Sequence, residues 1–176
     1  RASDTAELSF NNVRVSEENL LGGIESEGFK QAMYLFNMER LIAAAQGIGA
    51  ARGAFEKAAK HIKQRKQFGK PIASFQGIQF MIAEMATKIE AARNLLYKAC
   101  WLIDNKGIFD PKIVSMAKLF AGQVAVSITN DALQMHGGYG YFAEYGVEHF
   151  YRDAKIVEIY EGAREIEKLT IAREIL

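Results

Sequence analysis

"IQFMIAEMATKIEAARNLLYKACWLI" (residues 78–103) decides the fold. Within it Ile78, Ile82, Met85, Ile89, Ala92, Leu96, Ala99 and Ile103 step by four and three without a miss. That spacing lays the apolar side chains along one face of an α-helix; a strand, whose faces alternate at every residue, cannot use it. The stretch before it, from about Phe29 to Lys66, carries Leu41, Ile48, Phe55 and Ile62 at intervals of seven, with Ala44, Ala51 and Ala58 between them. The stretch after it, from about Lys112 to Met135, puts Ile113, Ala117, Phe120, Val124 and Ile128 on one face. Each stripe must be buried against another.

The joints are short. Gly69-Lys70-Pro71 ends the first helix, and Ser74 is the expected N-cap of the second, which runs to about Lys106. Asp110 is the expected N-cap of the third, with Pro111 at its first position. "HGGYGYFAEYG" (136–146) is too rich in Gly and Tyr for helix; a short helix follows at about Val147 to Ala154, and a last one from about Ala163 onward. Short turns between long helices make antiparallel neighbours, so the fold class is all-α, an antiparallel up-down four-helix bundle. Leu8, Phe10 and Val13 alternate around Asn11-Asn12 in "AELSFNNVRV" (6–15), which reads as a short N-terminal β-hairpin remnant of a larger sheet. Gly47, Gly49 and Gly53 each cost the first helix about 1 kcal/mol against Ala, a loss that close approach of a backbone or ligand would offset.

Among the 176 residues 49% are hydrophobic and the net charge is +1, with the basic residues scattered. Neither nucleic acid nor an anionic membrane surface is a natural partner for that charge. No apolar run approaches the length of a membrane span. The single cysteine, Cys100, has no disulfide partner and reads as an inert buried thiol in a reducing compartment. His61, His136 and His149 are far apart in sequence and no Glu-x-x-His or Cys/His zinc pattern occurs, so no metal is expected. "RASDTAEL" has no start Met and no signal sequence and reads as a point inside a longer protein.

Four stretches could carry chemistry, each with a plain alternative. "QMHGGYGYF" (134–142) is a helix cap and packed loop, or a glycine-opened ligand loop. "KQRKQFGKP" (63–71) complements a helix dipole, or offers Arg65 to a phosphate. "NMER" (37–40) is a Glu-Arg surface pair, or a polar cluster facing a cavity. Glu161, in "IYEGAREI" (159–166), is an acid near a helix N-terminus, or a base held by a tight turn. Periodicity does not choose between these readings.

Taken together, "AELSFNNVRV", "QRKQFGKPIASFQGIQF", "ITNDALQMHGGYGY", "YRDAKIVEIYEG" and "EIEKLTIAREIL" are collinear and resemble the C-terminal part of the acyl-CoA dehydrogenase family, in particular its short-chain, medium-chain and butyryl-CoA members. The resemblance implies residues 1–27 as the end of a middle β-domain with its linker, and 28–176 as the bundle. It implies FAD as cofactor and α,β-dehydrogenation of an acyl-CoA to a trans-2-enoyl-CoA. Glu161 would take the α-proton while hydride leaves for flavin N5, and Glu39 matches the alternative base position of some relatives. Arg65, Phe68 and Gln76 match contacts to the FAD of a neighbouring subunit. Gln134, Met135, His136, Gly137 and Gly138 match the loop near its adenosine and pyrophosphate, and Glu165 a further cofactor contact. Asn37, Arg40, Tyr160 and Gly162 match the substrate side, the first two near the coenzyme A arm. Glu39 is expected to pair with Arg40 or to shape the acyl pocket.

A homo-oligomer, a tetramer in the family, an electron-transfer flavoprotein as electron acceptor, and a bacterial cytoplasm or mitochondrial matrix are implied as well. So is a role in fatty acid metabolism. The chain departs from the family at Ala163 and Arg164, where a Thr-Ser pair that helps hold FAD is usual. Alone, this stretch would lack most of the flavin site and be inactive. An acyl-CoA oxidase on the same scaffold and a non-catalytic helical oligomerisation module are the competing readings.

Overall fold

The computed structural model describes residues 3–176; Arg1 and Ala2, the start of the expected 1–27 segment, lie outside the described residues. Five helices make the fold: α1 (Gly28–Gln64), α2 (Gln76–Lys106), α3 (Pro111–His136), α4 (Glu148–Ala154) and α5 (Arg164–Arg173). The three periodic stripes of the sequence are the three long helices. The bundle is all-α, as expected, but its last members are short: seven residues in α4 and ten in α5. Helix α3 is the centre and touches each of the other four. Direction follows from the contacts. Gly47 of α1 faces Ala121 and Ala125 of α3, and His61 stacks on His136, so α1 and α3 pack directly on each other and run the same way, while α2, which joins them in sequence, packs on both.

The stripes meet where their spacing demands. Leu41, Ile48, Ile62, Met85, Ile89, Leu96, Ile113, Val124 and Ile128 form one buried cluster, with Ala44, Ala51, Ala54 and Ala58 of α1 fully enclosed. Burying a side chain the size of Met85 contributes about 1.5–3 kcal/mol. Cys100 is half-buried at the margin of this cluster. The stretch Pro111–Tyr141 is long and apolar enough to cross a membrane, yet 61% of its most apolar window is buried inside the protein, the mark of a central core helix.

Local chemistry sets the joints. Gly107 closes α2 in the left-handed region at φ 62°, and Asp110 caps α3 by accepting a hydrogen bond from the Ile113 N–H at 3.1 Å. Ser74 does not cap α2. Phe75 holds that position with no side-chain bond, because the Ser74 hydroxyl donates back to the Pro71 carbonyl at 2.7 Å. The expected N-terminal hairpin does not form either: residues 6–15 make no strand and their apolar side chains are exposed. Two strands alone have too little to bury against without further strands. The one strand pair among the described residues is elsewhere, β1 (Lys66–Gln67) antiparallel to β2 (Lys70–Pro71), turning through Phe68 and Gly69 at φ 52° and 78°.

Of the three glycines of α1, a Cβ at Gly47 would crowd Val157 and the Ala121 carbonyl, and one at Gly53 would lie 2.8 Å from the Phe150 ring. Gly49 has nothing within 4 Å and no close approach to explain it.

Candidate active site

A strained turn holds Glu161. After a 3-10 stretch over Lys155–Glu158, the Tyr160 N–H bonds the Ile156 carbonyl at 3.0 Å. Glu161 then sits at φ 53°, a region that costs a non-glycine residue about 1–3 kcal/mol. Gly162 follows at φ 115°, and a Cβ there would fall 1.9 Å from Glu167 Oε1. Only glycine fits both the backbone and the space. Ala163 is extended and α5 begins at Arg164.

Beneath the turn lies a set of enclosed charges. Lys118 of α3 is 1% exposed, and its ammonium donates a hydrogen bond to the Gly162 carbonyl. Glu167 of α5 is fully buried, with Arg40 Nε 2.9 Å from its Oε1. Arg40 Nη1 also donates to Asn37 Oδ1 at 2.7 Å. Burial pulls the Lys118 pKa down against the raising pull of Glu167, and burial pushes the Glu167 carboxyl up against the Ser115 hydroxyl and the Arg40 charge. Glu158, also buried, pairs with Lys155 and lies 3.5 Å from Arg164.

Glu161 is half-buried and its Oε2 is closed off from solvent. Its carboxyl is raised above the ordinary range first by burial, then by the Glu39 charge and a hydrogen bond with Glu39; Lys118 and Arg40 oppose the rise. With both acids ionised Oε2 has no donor to meet. Tyr160 stands beside them with its hydroxyl donated to Gln46, and burial, then Glu161 and Glu39, push its phenol up. This arrangement suits a base: an acid with a raised affinity for protons in a place water does not flood.

A second cluster lies at the other end of α1. Arg65, Gln134, Met135, His136, Gly137 and Gly138 line a groove of about 440 Å³ with His61 and Tyr139. The Arg65 guanidinium lies 5.0 Å over the Tyr139 ring, and the His61 and His136 rings stack at 4.3 Å. His136 Nδ1 is 2.8 Å from the Ala132 carbonyl oxygen. Burial, then His136 and Arg65, lowers the His61 pKa. A Cβ added at Gly137 or Gly138 would meet nothing within 4 Å, so the backbone there is open to a ligand.

The C-terminal domain of acyl-CoA dehydrogenases, as a family model, matches residues 26–176. The chain belongs to this family. It is 51% identical over 176 residues to the cyclohexane-1-carbonyl-CoA dehydrogenase of Geobacter metallireducens, covering 100% of this chain and 46% of that protein. It is 46% identical over 172 residues to the caffeyl-CoA reductase-Etf complex subunit CarC of Acetobacterium woodii, covering 98% and 45%. The butyryl-CoA dehydrogenase structure from Megasphaera elsdenii superposes with a TM-score of 0.83 at 43% identity, over 87% of this chain and 40% of that one. The chain thus spans less than half the length of these relatives.

The acyl-CoA dehydrogenase domain therefore brings the expected site residues into two places. Glu161, Glu39, Arg40, Asn37, Tyr160 and Gly162 share the first. Arg65 and residues 134–138 share the second. Phe68 is 91% exposed at the hairpin tip, edge-on to Phe75, while Gln76 opens α2 and Glu165 lies on the first turn of α5, both exposed and off the groove's lining. Glu39 does not pair with Arg40; it faces Glu161, and Arg40 turns inward to Glu167 and Asn37. Arg164, at the departure from the family pattern, faces Glu158. Lys118 and Glu167 were not singled out from the sequence. Lys118 could have been, as a lone cation flanked by "SMA" and "LFAG" in an apolar helix; Glu167 could not, since "REIEK" reads as a solvated face. Arg40 and His61 are 21 residues apart on one helix, which is roughly 30 Å at 1.5 Å per residue.

Proposed function

We propose that this chain is the C-terminal part of an FAD-dependent enzyme that removes an α-proton and a β-hydride from an acyl-CoA thioester, giving a trans-2-enoyl-CoA, with Glu161 as the base. The observation that carries it is the Glu161 turn. A carboxyl held at positive φ, closed to solvent at one oxygen and raised in proton affinity, is poised to take a weakly acidic proton beside a thioester. The Glu161 backbone N–H would donate to the thioester oxygen and stabilise the charge that develops there. Tyr160 would flank the acyl group, and Gly162 leaves room for it. Asn37 and Arg40 would lie on the coenzyme A side of the pocket, with the Arg40 charge engaged by Glu167.

The second cluster fits a dinucleotide. Open glycine backbone at 137–138, the Arg65 guanidinium and stacked rings suit a pyrophosphate with attached planar bases. Arg65, Gln134, Met135, His136, Gly137 and Gly138 would hold it, with Phe68, Gln76 and Glu165 as outer contacts. Bound flavin supplies the hydride acceptor. The two clusters lie roughly 30 Å apart along α1, and on this reading the groove of one copy serves the Glu161 of another in a homo-oligomer. Residues 1–27 belong with a preceding domain, which would cover the exposed Phe29, Tyr34 and Leu35 at the start of α1. An electron-transfer flavoprotein is the acceptor, a reading supported by the relative that is part of a reductase-Etf complex; oxygen replaces it if reduced flavin is rapidly reoxidised in air.

The test is anaerobic flavin reduction by acyl-CoA in the full-length protein. Glu161→Gln lowers the rate by about 10³-fold or more, in the range of a lost acid-base group, and Glu39→Gln does so far less. Rapid reduction in Glu161→Gln refutes the assignment.

A further inference from the structure

The buried charges under the turn are not used by the proton-transfer step itself. We propose that Lys118 is a positioning residue for that step: its ammonium clamps the Gly162 carbonyl and so fixes the strained backbone that aims Glu161 at the substrate. This rests on Glu161 being the base.

Three observations carry it. First, the contact is specific and enclosed. A 1%-exposed ammonium donates to the carbonyl of half-buried Gly162, 44 residues away in the chain. A charge-assisted hydrogen bond in such a place is among the strong ones. Second, the segment lies tight on this part of α3. One turn beyond Lys118, a Cβ at Gly122 would meet Glu158 Cγ at 3.3 Å and the Val157 carbonyl oxygen at 3.4 Å. Third, two successive residues, Glu161 and Gly162, hold positive φ. Relaxing Glu161 to an ordinary backbone means rotating the adjacent peptides. That would carry the Gly162 carbonyl off Lys118 and drive the turn into Glu167, which stands 1.9 Å from where a Cβ would be. Clamp and wall together over-determine the strained state. The wall is itself fixed, because Arg40 holds Glu167 from α1. The turn is thus pinned from α1, α3 and α5 at once.

Lys118 has an electrostatic share as well. The charged groups facing Glu161 are Glu39 and Arg40 from α1 and Lys118 from α3, with the Tyr160 phenol adjacent. Lys118 and Arg40 hold the Glu161 carboxyl down against burial and Glu39. Removing the ammonium raises Glu161 further and moves the acid limb of its pH profile to higher pH.

The experiment uses the flavin-loaded full-length protein. Lys118→Met keeps the stem and removes the charge. Expected are a fall in kcat of about 10²-fold with little change in KM, the size a slight misplacement of a reacting group produces, and an acid limb moved to higher pH. Amide exchange by mass spectrometry becomes faster in the peptide over 158–164 while the α2 peptides hold. Gly162→Ala forces the same turn from the wall side and leaves Lys118 charged. It lowers kcat and speeds the same exchange, without the pH shift of Lys118→Met; if Lys118→Met does not fold, Lys118→Gln takes its place, with the same expected outcomes. A folded Lys118→Met with unchanged kcat and exchange, or a Gly162→Ala with unchanged kcat, overturns the clamp. Glu161→Gln runs alongside. If that variant still reduces flavin, the base lies elsewhere and the proposed function falls; if it is dead while Lys118→Met matches wild type, the clamp alone falls.

Discussion

The same substitution, Gly to Ala, has opposite effects at two positions of α1 only two residues apart. At Gly49 an added Cβ meets nothing within 4 Å. The gain is then the helix-propensity difference alone, about 0.8–1 kcal/mol. In a domain of this size that raises the melting temperature by about 2–4 °C. At Gly47 the added carbon stands 3.0 Å from Val157 Cγ1, 3.3 Å from the Ala121 carbonyl oxygen and 3.5 Å from Ala125 Cβ. The Val157 side chain can turn; the Ala121 carbonyl moves only with α3. Overpacking of this kind costs about 1–3 kcal/mol, so after the propensity gain the net is a loss of about 0–2 kcal/mol. The two variants therefore differ by about 1–3 kcal/mol, the overpacking cost itself. Urea unfolding of both variants and wild type, followed by far-ultraviolet circular dichroism, measures it. Equal stabilisation at the two positions would refute the close crossing of α1 and α3.

Two further outcomes concern titration. Glu39→Gln removes the largest contribution after burial to the raised Glu161 pKa, so the acid limb of flavin reduction moves to lower pH; an unmoved limb means that the two acids do not face each other. His61, lowered by burial in the folded chain, binds its proton less readily there than when unfolded. Its contribution to stability is present above the unfolded pKa, near 6.5, and is lost as pH falls through the lower folded value. His61→Gln should flatten the loss of melting temperature on acidification below neutrality relative to wild type, and an identical pH dependence in the variant would count against the stacked pair.

Reading the sequence recovered what periodicity controls. The α2 stripe and the heptads of α1 lie where their spacing put them, and Asp110 caps α3 because its neighbours supply the free N–H. Periodicity does not reveal which element a polar side chain turns toward. Glu39 and Arg40 are adjacent, so pairing them was natural. On a helix, however, adjacent residues point about 100° apart; one found Glu161 and the other Glu167, both distant in sequence. Ser74 failed as a cap because its hydroxyl had a nearer acceptor. The hairpin at 6–15 failed because alternation specifies a strand only when a neighbouring sheet is there to pair with. The glycine-rich loop and Arg65 each had two readings in the sequence, and only the fold shows them opening into one groove. Nothing in the sequence signalled that this groove and Glu161 sit at opposite ends of a long helix.

The docking of α5 carries a consequence for folding fidelity. Half of this ten-residue helix is charged, and Ile166 and Leu169 remain about half exposed, so apolar contact does little to choose its register. Its fully enclosed side chain is a carboxylate, Glu167. Sliding α5 by one turn would part Glu167 from Arg40 and bring a different residue into the slot, a fault more costly than any gain in apolar contact. An ion pair that adds little net stability can still make every neighbouring alignment worse. Helix α5 is therefore keyed to its seat by charge, and Glu161 is brought to its place by the same key.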